Sequence, residues 1–190
     1  MKPRCLDARV RELIERVIAL SRSFTIWWEL HHVKTKANYA HAVDQYSDFF
    51  RATADAHYIS FFVISYQLFE PKHAVSTLPS TLGEFEGNPA RSLARANRIL
   101  VSLKPILRKV FQIRSEVYAH RSIRRTPEHA FAQVKLTALE MRRIVRGAQI
   151  IVAQLAKASN VGSATSIAQT IRQRENYSLE DLRLIAKALH

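Results

Sequence analysis

The sequence predicts an all-α protein. Three observations carry the prediction: the 190 residues include only four glycines and six prolines, the apolar residues recur at intervals of three and four rather than two, and Asn-Pro and Thr-Pro helix-start signals precede two of the longest apolar runs. Four long amphipathic stretches predict an up-and-down four-helix bundle over residues 1–157. A linker and a short helical C-terminal extension are expected over 158–190.

The first helix is expected from Leu6 or Asp7 to about Val33 or Lys36, with Val10, Leu13, Ile14, Val17, Leu20, Phe24, Trp27 and Trp28 as its apolar stripe. A second helix is expected from about Asn38 to Phe69, where Pro71 stops it; it carries most of the aromatic residues. Residues 70–87 hold Pro71, Pro79, Gly83 and Gly87 and read as a loop, with one short helical stretch after Thr77 or Ser80. Asn88-Pro89 looks like an N-cap followed by proline in the first turn, opening a third helix that runs toward His120 and is kinked or divided at Pro105. Thr126-Pro127-Glu128 repeats the signal for a fourth helix, reaching Leu155. After Lys157 a run of small residues reads as a linker, followed by two short helices, the last capped at Ser178. This tail is expected to dock on the bundle or to contact a second copy.

With 47% hydrophobic and 24% charged residues, a chain of this length can bury a sizeable core without metal or disulfide. Cys5 is the single cysteine, so no intramolecular disulfide and no multi-cysteine zinc site can form, which fits a reducing cytoplasm. The N-terminal residues lack a continuous apolar run and no stretch approaches about 18 uninterrupted apolar residues, so neither export nor a membrane span is indicated. Cytoplasmic localisation is the expectation.

The net charge is +13. Residues 88–146 hold fourteen Lys and Arg against Glu116, Glu128 and Glu140, a net +11. Solvated helix faces normally carry both signs, and here the acids are missing. A field of this sign attracts polyanions.

Within that segment Arg114 and His120 supply two groups that phosphodiester cleavage needs: a permanent cation that can hold a phosphate bidentately and an imidazole that titrates near neutrality. Along an ideal helix they are separated by about 9 Å and about 240°. On spacing alone the plainer reading is a surface arginine and a histidine favoured by the helix C-terminus. A distorted helix end would permit convergence. Arg121, Arg124 and Arg125 follow in the turn, where they can hold flanking phosphates of a strand.

The stretch Ile113-Arg-Ser-Glu-Val-Tyr-Ala-His-Arg-Ser122 on a third long helix, its place before a basic turn, and the four-helix plan together resemble HEPN domains, whose signature is an Arg, four to six residues, then a His. The early Trp pair, the helix ending Tyr66-Gln-Leu-Phe69, the Ser/Thr/Leu loop after it and the Tyr-Ala-His stretch are most similar to the abortive-infection AbiU-type branch. The resemblance covers about residues 6–157. It implies a metal-independent endoribonuclease without cofactor, a toxin or antiphage defence effector, acting on RNA as a homodimer with a shared active cleft and leaving a 2′,3′-cyclic phosphate. His120 would be the general base or acid and Arg114 the phosphate holder, with Ser115 and Glu116 supporting them and Arg108, Lys109, Arg121, Arg124 and Arg125 binding RNA.

The chain departs from the family at Ser115, where Asn, Asp or His is frequent, and at Ser122, where toxins paired with a nucleotidyltransferase antitoxin usually carry Tyr. An antitoxin remains a partner the resemblance allows, though not by that route. The alternative function is a non-catalytic HEPN module that binds RNA or a protein through the same basic surface. His31, His32, His41, His57, His73 and His129 lack i, i+4 partners of ligand type, so no metal site is expected. The scattered glycines exclude a phosphate-cradling loop.

Overall fold

A computed structural model of the chain describes residues 3–32, 39–70, 76–85, 93–119 and 132–189. Among the described residues every regular element is helical, so the protein is all-α. Helix α1 spans Pro3–His31, and Val10, Leu13, Val17 and Leu20 on its expected stripe are fully buried. Trp27 and Trp28 are partly buried against this core. Trp27 stacks on Tyr58 at 5.2 Å and Trp28 on Phe24 at 6.0 Å, so the pair packs rather than presenting free faces for bases.

The second predicted helix is two helices, α2 (Ala40–Gln45) and α3 (Ser47–Phe69). Tyr46 between them has φ −121° and ψ 43°, outside the helical region, yet its N–H still donates to the Ala42 carbonyl at 2.9 Å. The break has a tertiary cause. It lets α2 turn Ala42 into a small second core with Tyr39, Leu30, Phe50, Leu182 and Ala186. At the other end, Glu70 has φ −58° and ψ 130°, the extended conformation that the following Pro71 imposes.

Helix α4 (Leu78–Gly83) is the short helix allowed after Thr77: the Thr77 hydroxyl accepts from the Ser80 N–H, and the Ser80 hydroxyl caps Thr77 in return. Helix α5 spans Ala94–Ile113; the Asn88-Pro89 start signal lies outside the described residues. Pro105 does not divide α5. It stands at an exposed position, and the helix continues unbroken past it to Ile113 although the Val101 carbonyl loses its N–H partner there.

Of the fourth predicted helix the described part is α6, Ala138–Ala158, with residues 132–134 before it also helical. Lys135 has φ 48°, and Thr137 with Glu140 forms a reciprocal capping box, the Thr-x-x-Glu pattern of a helix start. Thr126 to Glu128 lie outside the described residues. The tail also differs from expectation. In place of two short helices there is one of 25 residues, α7 (Ala164–Ala188). Ser163 caps it, and Ser178, the expected cap, sits in its middle, accepting from Arg22 Nε at 2.8 Å and donating to the Arg174 carbonyl at 2.9 Å.

Helix α1 packs against α3, α6 and α7, while α5 packs against α3 and α6. Gly147 on α6 lets α5 approach closely: a Cβ there would stand 2.6 Å from Leu103 Cδ1. Ile167 and Ile171 bring α7 into the main core.

A polar cluster lies at the α1–α6–α7 junction. Gln149 Nε2 donates to Ser21 Oγ at 3.0 Å and to Glu175 Oε1 at 2.9 Å. Burial raises the Glu175 carboxyl above its ordinary value, more than Ser21, Gln149 and Arg172 lower it. A carboxyl with a raised folded pKa binds its proton more tightly in the folded state. Its stabilising contribution is therefore complete below the unfolded value of about 4.3 and is lost as pH rises through the folded value. Glu175→Gln keeps the acceptor for Gln149 and removes the charge. The variant is expected to melt above wild type at pH 7, with the difference closing toward pH 4; equal melting temperatures at pH 7 would refute this.

Candidate functional site

The regular winding of α5 ends at the candidate arginine. Residues Arg114–Ala119 form a π-helical turn, in which N–H groups bond five residues back and the helix widens. Ile113 before it is fully buried, and Val117 within it is partly buried against the main core. The ideal-helix separation of about 240° therefore does not apply from Arg114 onward. The distorted helix end required for convergence is present over 114–119, while His120 itself lies outside the described residues.

Arg114 is held from a second helix. Its guanidinium lies over the Tyr66 ring, 4.3 Å from the centroid, and that ring meets Phe111 edge-on at 5.3 Å. The Tyr66 hydroxyl donates to Glu70 Oε1 at 2.6 Å. Tyr66 and Glu70 are one turn apart at the end of α3, so the last turn of α3 braces the first residue of the π turn. The Glu70 hydrogen bond, then burial and the Glu70 charge, raise the Tyr66 pKa, with Arg114 opposing. The phenol thus stays protonated and keeps donating at neutral pH. A stacked guanidinium engages through its face, and its N–H donors lie in the plane, directed as a bidentate phosphate contact requires.

The remaining candidates separate. Ser115 is exposed and Glu116 is partly buried, with Glu116 Oε1 accepting from Gln112 Nε2 at 3.1 Å. Arg108 is exposed. Lys109 serves the fold: its ammonium donates to Glu140 Oε1 at 2.6 Å and to the Lys135 carbonyl at 3.2 Å, tying α5 to the start of α6. Burial acts to raise the Glu140 pKa, but Lys109 and the Thr137 N–H outweigh it and hold the carboxyl below its ordinary value. Arg121, Arg124 and Arg125 lie outside the described residues.

Tyr66 and Glu70 are the residues that sequence reading missed. Their i, i+4 spacing was visible, but the contact with Arg114 spans 48 positions of chain. The basic field is better resolved. Helix α5 carries Arg95, Arg98, Lys104, Arg108 and Lys109 with no carboxylate, and all but Lys109 are exposed. Arg143 and Arg146 on α6 are exposed too, whereas Arg142 lies over Trp28 at 4.7 Å. A cleft of about 350 Å³ lined by His31, Asp44, Ser47 and Arg51 among others sits at the opposite end of α3 from Tyr66. Among the described residues no group of three or more His, Cys, Asp or Glu is placed to hold a metal, and no helix is long and apolar enough to cross a membrane.

No family model, no curated protein and no solved structure matches the chain.

Proposed function

We propose that this chain is a metal-independent endoribonuclease of HEPN type, a cytoplasmic toxin or antiphage effector that acts as a homodimer. The observation that carries the reading is the bracing of Arg114 by Tyr66 and Glu70 at the head of a π-wound turn. An arginine that served only solubility has no need of an aromatic seat and a backbone distortion, and π turns recur at functional sites. In this reading α1, α3, α5 and α6 are the four helices of an up-and-down bundle, with residues 158–190 added to it.

The chemistry follows from residue types. His120 takes the proton from a ribose 2′-hydroxyl as that oxygen attacks phosphorus. The bond from phosphorus to the 5′-oxygen breaks, the leaving oxygen receives a proton, and a 2′,3′-cyclic phosphate and a 5′-hydroxyl remain. Arg114 holds the non-bridging oxygens and offsets the charge that builds on them. Arg108, with Arg121, Arg124 and Arg125, binds flanking phosphates. No cofactor is consumed, and DNA, lacking the attacking hydroxyl, is not cut. An antitoxin would act by covering this surface.

A second reading rests on the carboxylate-free α5: a non-catalytic module binding RNA, or a protein partner, through its exposed cations. Labelled RNA incubated in chelator separates the two. Cleavage by wild type, cyclic-phosphate ends and their loss in His120→Ala support the enzyme. Salt-sensitive binding without cleavage supports the module, and equal cleavage by His120→Ala removes the proposed site.

A further inference from the structure

The cleft of about 350 Å³ lies where α2 gives way to α3. Its floor is apolar: Leu30, Phe50 and Ala54 are buried and belong to the small second core. One wall is the last turn of α1, where His31 is held by its stack on Trp27 at 5.4 Å and by the contact of its Nδ1 with the Trp27 carbonyl at 3.2 Å. The other wall carries Asp44, Ser47 and Arg51, all exposed. An apolar base with a few polar groups at its mouth is the usual make-up of a small-molecule site, and the volume falls at the lower end of the range for such sites.

Two features of the polar wall point to a ligand. Among the described residues the side chains of Asp44, Ser47 and Arg51 have no hydrogen-bond or ion-pair partner. Arg51 has Asp48 three residues before it and Asp55 four residues after it, positions that suit an ion pair on a helix, yet it pairs with neither. The second feature is the break at Tyr46. The last carbonyls of α2 lose their helical partners beside Asp44, and the first N–H groups of α3 lose theirs beside Ser47. Partial negative charge is thus added on the side of the carboxylate and partial positive charge on the side of the guanidinium.

We infer that this cleft binds a free α-amino acid with an apolar side chain. Its ammonium meets Asp44, its carboxylate meets Arg51 and Ser47, and its side chain lies on Leu30, Phe50 and Ala54. Charge selects the class. The carboxylate and the guanidinium of the lining cancel, although the whole chain carries +13, so a polyanion finds no cationic excess here. A simple carboxylate would face Asp44 and a simple amine would face Arg51, whereas a zwitterion satisfies both. The floor selects the side chain, because a polar one would be desolvated there without a partner. Arg51 stands about 22 Å along α3 from Tyr66, so the site is separate from Arg114 and does not rest on RNA cleavage.

The test uses the full chain with L-leucine as the probe. At about a hundred times its dissociation constant it is expected to raise the melting temperature by about 5–10 °C. In calorimetric titrations isocaproate, which is leucine without the ammonium, and isoamylamine, which is leucine without the carboxylate, should each bind at least about tenfold more weakly. Asp44→Asn should weaken leucine by about tenfold and leave isocaproate no weaker, and Arg51→Gln should weaken leucine equally and leave isoamylamine no weaker. Both positions are exposed, so each variant without ligand should melt with wild type. The site is overturned if L-leucine, L-isoleucine, L-methionine and L-phenylalanine all fail to bind at about 10 mM, or if leucine binds both variants as it binds wild type. Isocaproate or isoamylamine binding as tightly as leucine overturns the zwitterion.

Discussion

Phe61→Ala is expected to destabilise the protein by about 3–5 kcal/mol, the range for deleting a buried phenylalanine side chain. Phe61 is fully buried, stands edge-on to Phe62 at 5.5 Å and lies 6.3 Å from the Phe24 ring on α1. It thus stands where α3 faces α1, and both backbones continue through regular helix on either side. Neighbouring side chains can collapse only partly into the space, so lost transfer free energy is joined by a cavity cost. Urea denaturation should show a lower midpoint with an unchanged slope, and the melting temperature should fall by about 2–4 °C per kcal/mol for a chain this long. A loss below about 1 kcal/mol would mean the α1–α3 contact is not as described.

Arg114→Ala is expected to reduce RNA cleavage by about 10²–10³-fold, the usual cost of removing one group that stabilises transition-state charge. Affinity for RNA should change little, because Arg95, Arg98, Lys104 and Arg108 remain exposed on α5. Arg114→Lys should recover little, since an ammonium supplies neither the planar fork nor the stacking face. Tyr66→Leu, which removes the seat and keeps the charge, should lose rate by a smaller factor. Tyr66→Phe, which keeps the ring but not the bond to Glu70, should lie between Tyr66→Leu and wild type. Single-turnover rates and filter binding on the same RNA separate the effects. Cleavage that survives Arg114→Ala at the wild-type rate would remove Arg114 from the reaction.

The sequence carried local features further than distant ones. The Val10 to Phe24 stripe marked the buried face of α1, and Thr77-Leu-Pro-Ser80 marked a short helix, because each depends on residues within a few positions. The break at Tyr46 was not visible, since its cause is the packing of α2 on Leu182 and Ala186, over 130 residues away. The length of α7 was partly legible: no glycine or proline follows Gly162, and Ile167, Ile171, Ser178, Leu182 and Ala186 keep helical intervals. The small polar residues around Ser163 supply its cap, and reading Ser178-Leu-Glu-Asp181 as a second cap divided one helix into two. Thr137-Ala-Leu-Glu140, the capping box that starts α6, was passed over in the sequence, where Thr137 reads as one more position of the helical run.

At the candidate site, residue type and a family resemblance singled out Arg114. Its seat on Tyr66, the ion pair that occupies Lys109 and the π winding of 114–119 were not legible, because each depends on how helices meet. Periodicity describes one helix at a time. It cannot reveal which cation is occupied by a neighbouring helix and which is left for a ligand.

Helix α1 packs on α6 and α7, and the Arg22–Ser178 hydrogen bond spans 156 positions of chain. Helix α1 thus leaves the ribosome well before the helices that cover it. While residues 33–137 are being made, at about 5–20 residues per second, the Val10 to Phe24 stripe has only α3 and the short α4 to pack against, and its α6- and α7-facing positions stay wet. Such a chain should need several seconds of protection at its N-terminal end. Final closure depends on segments around Ile151, Ile171 and Leu182, so a chain truncated before Ala164 should populate a loosened state and be cleared faster by proteases.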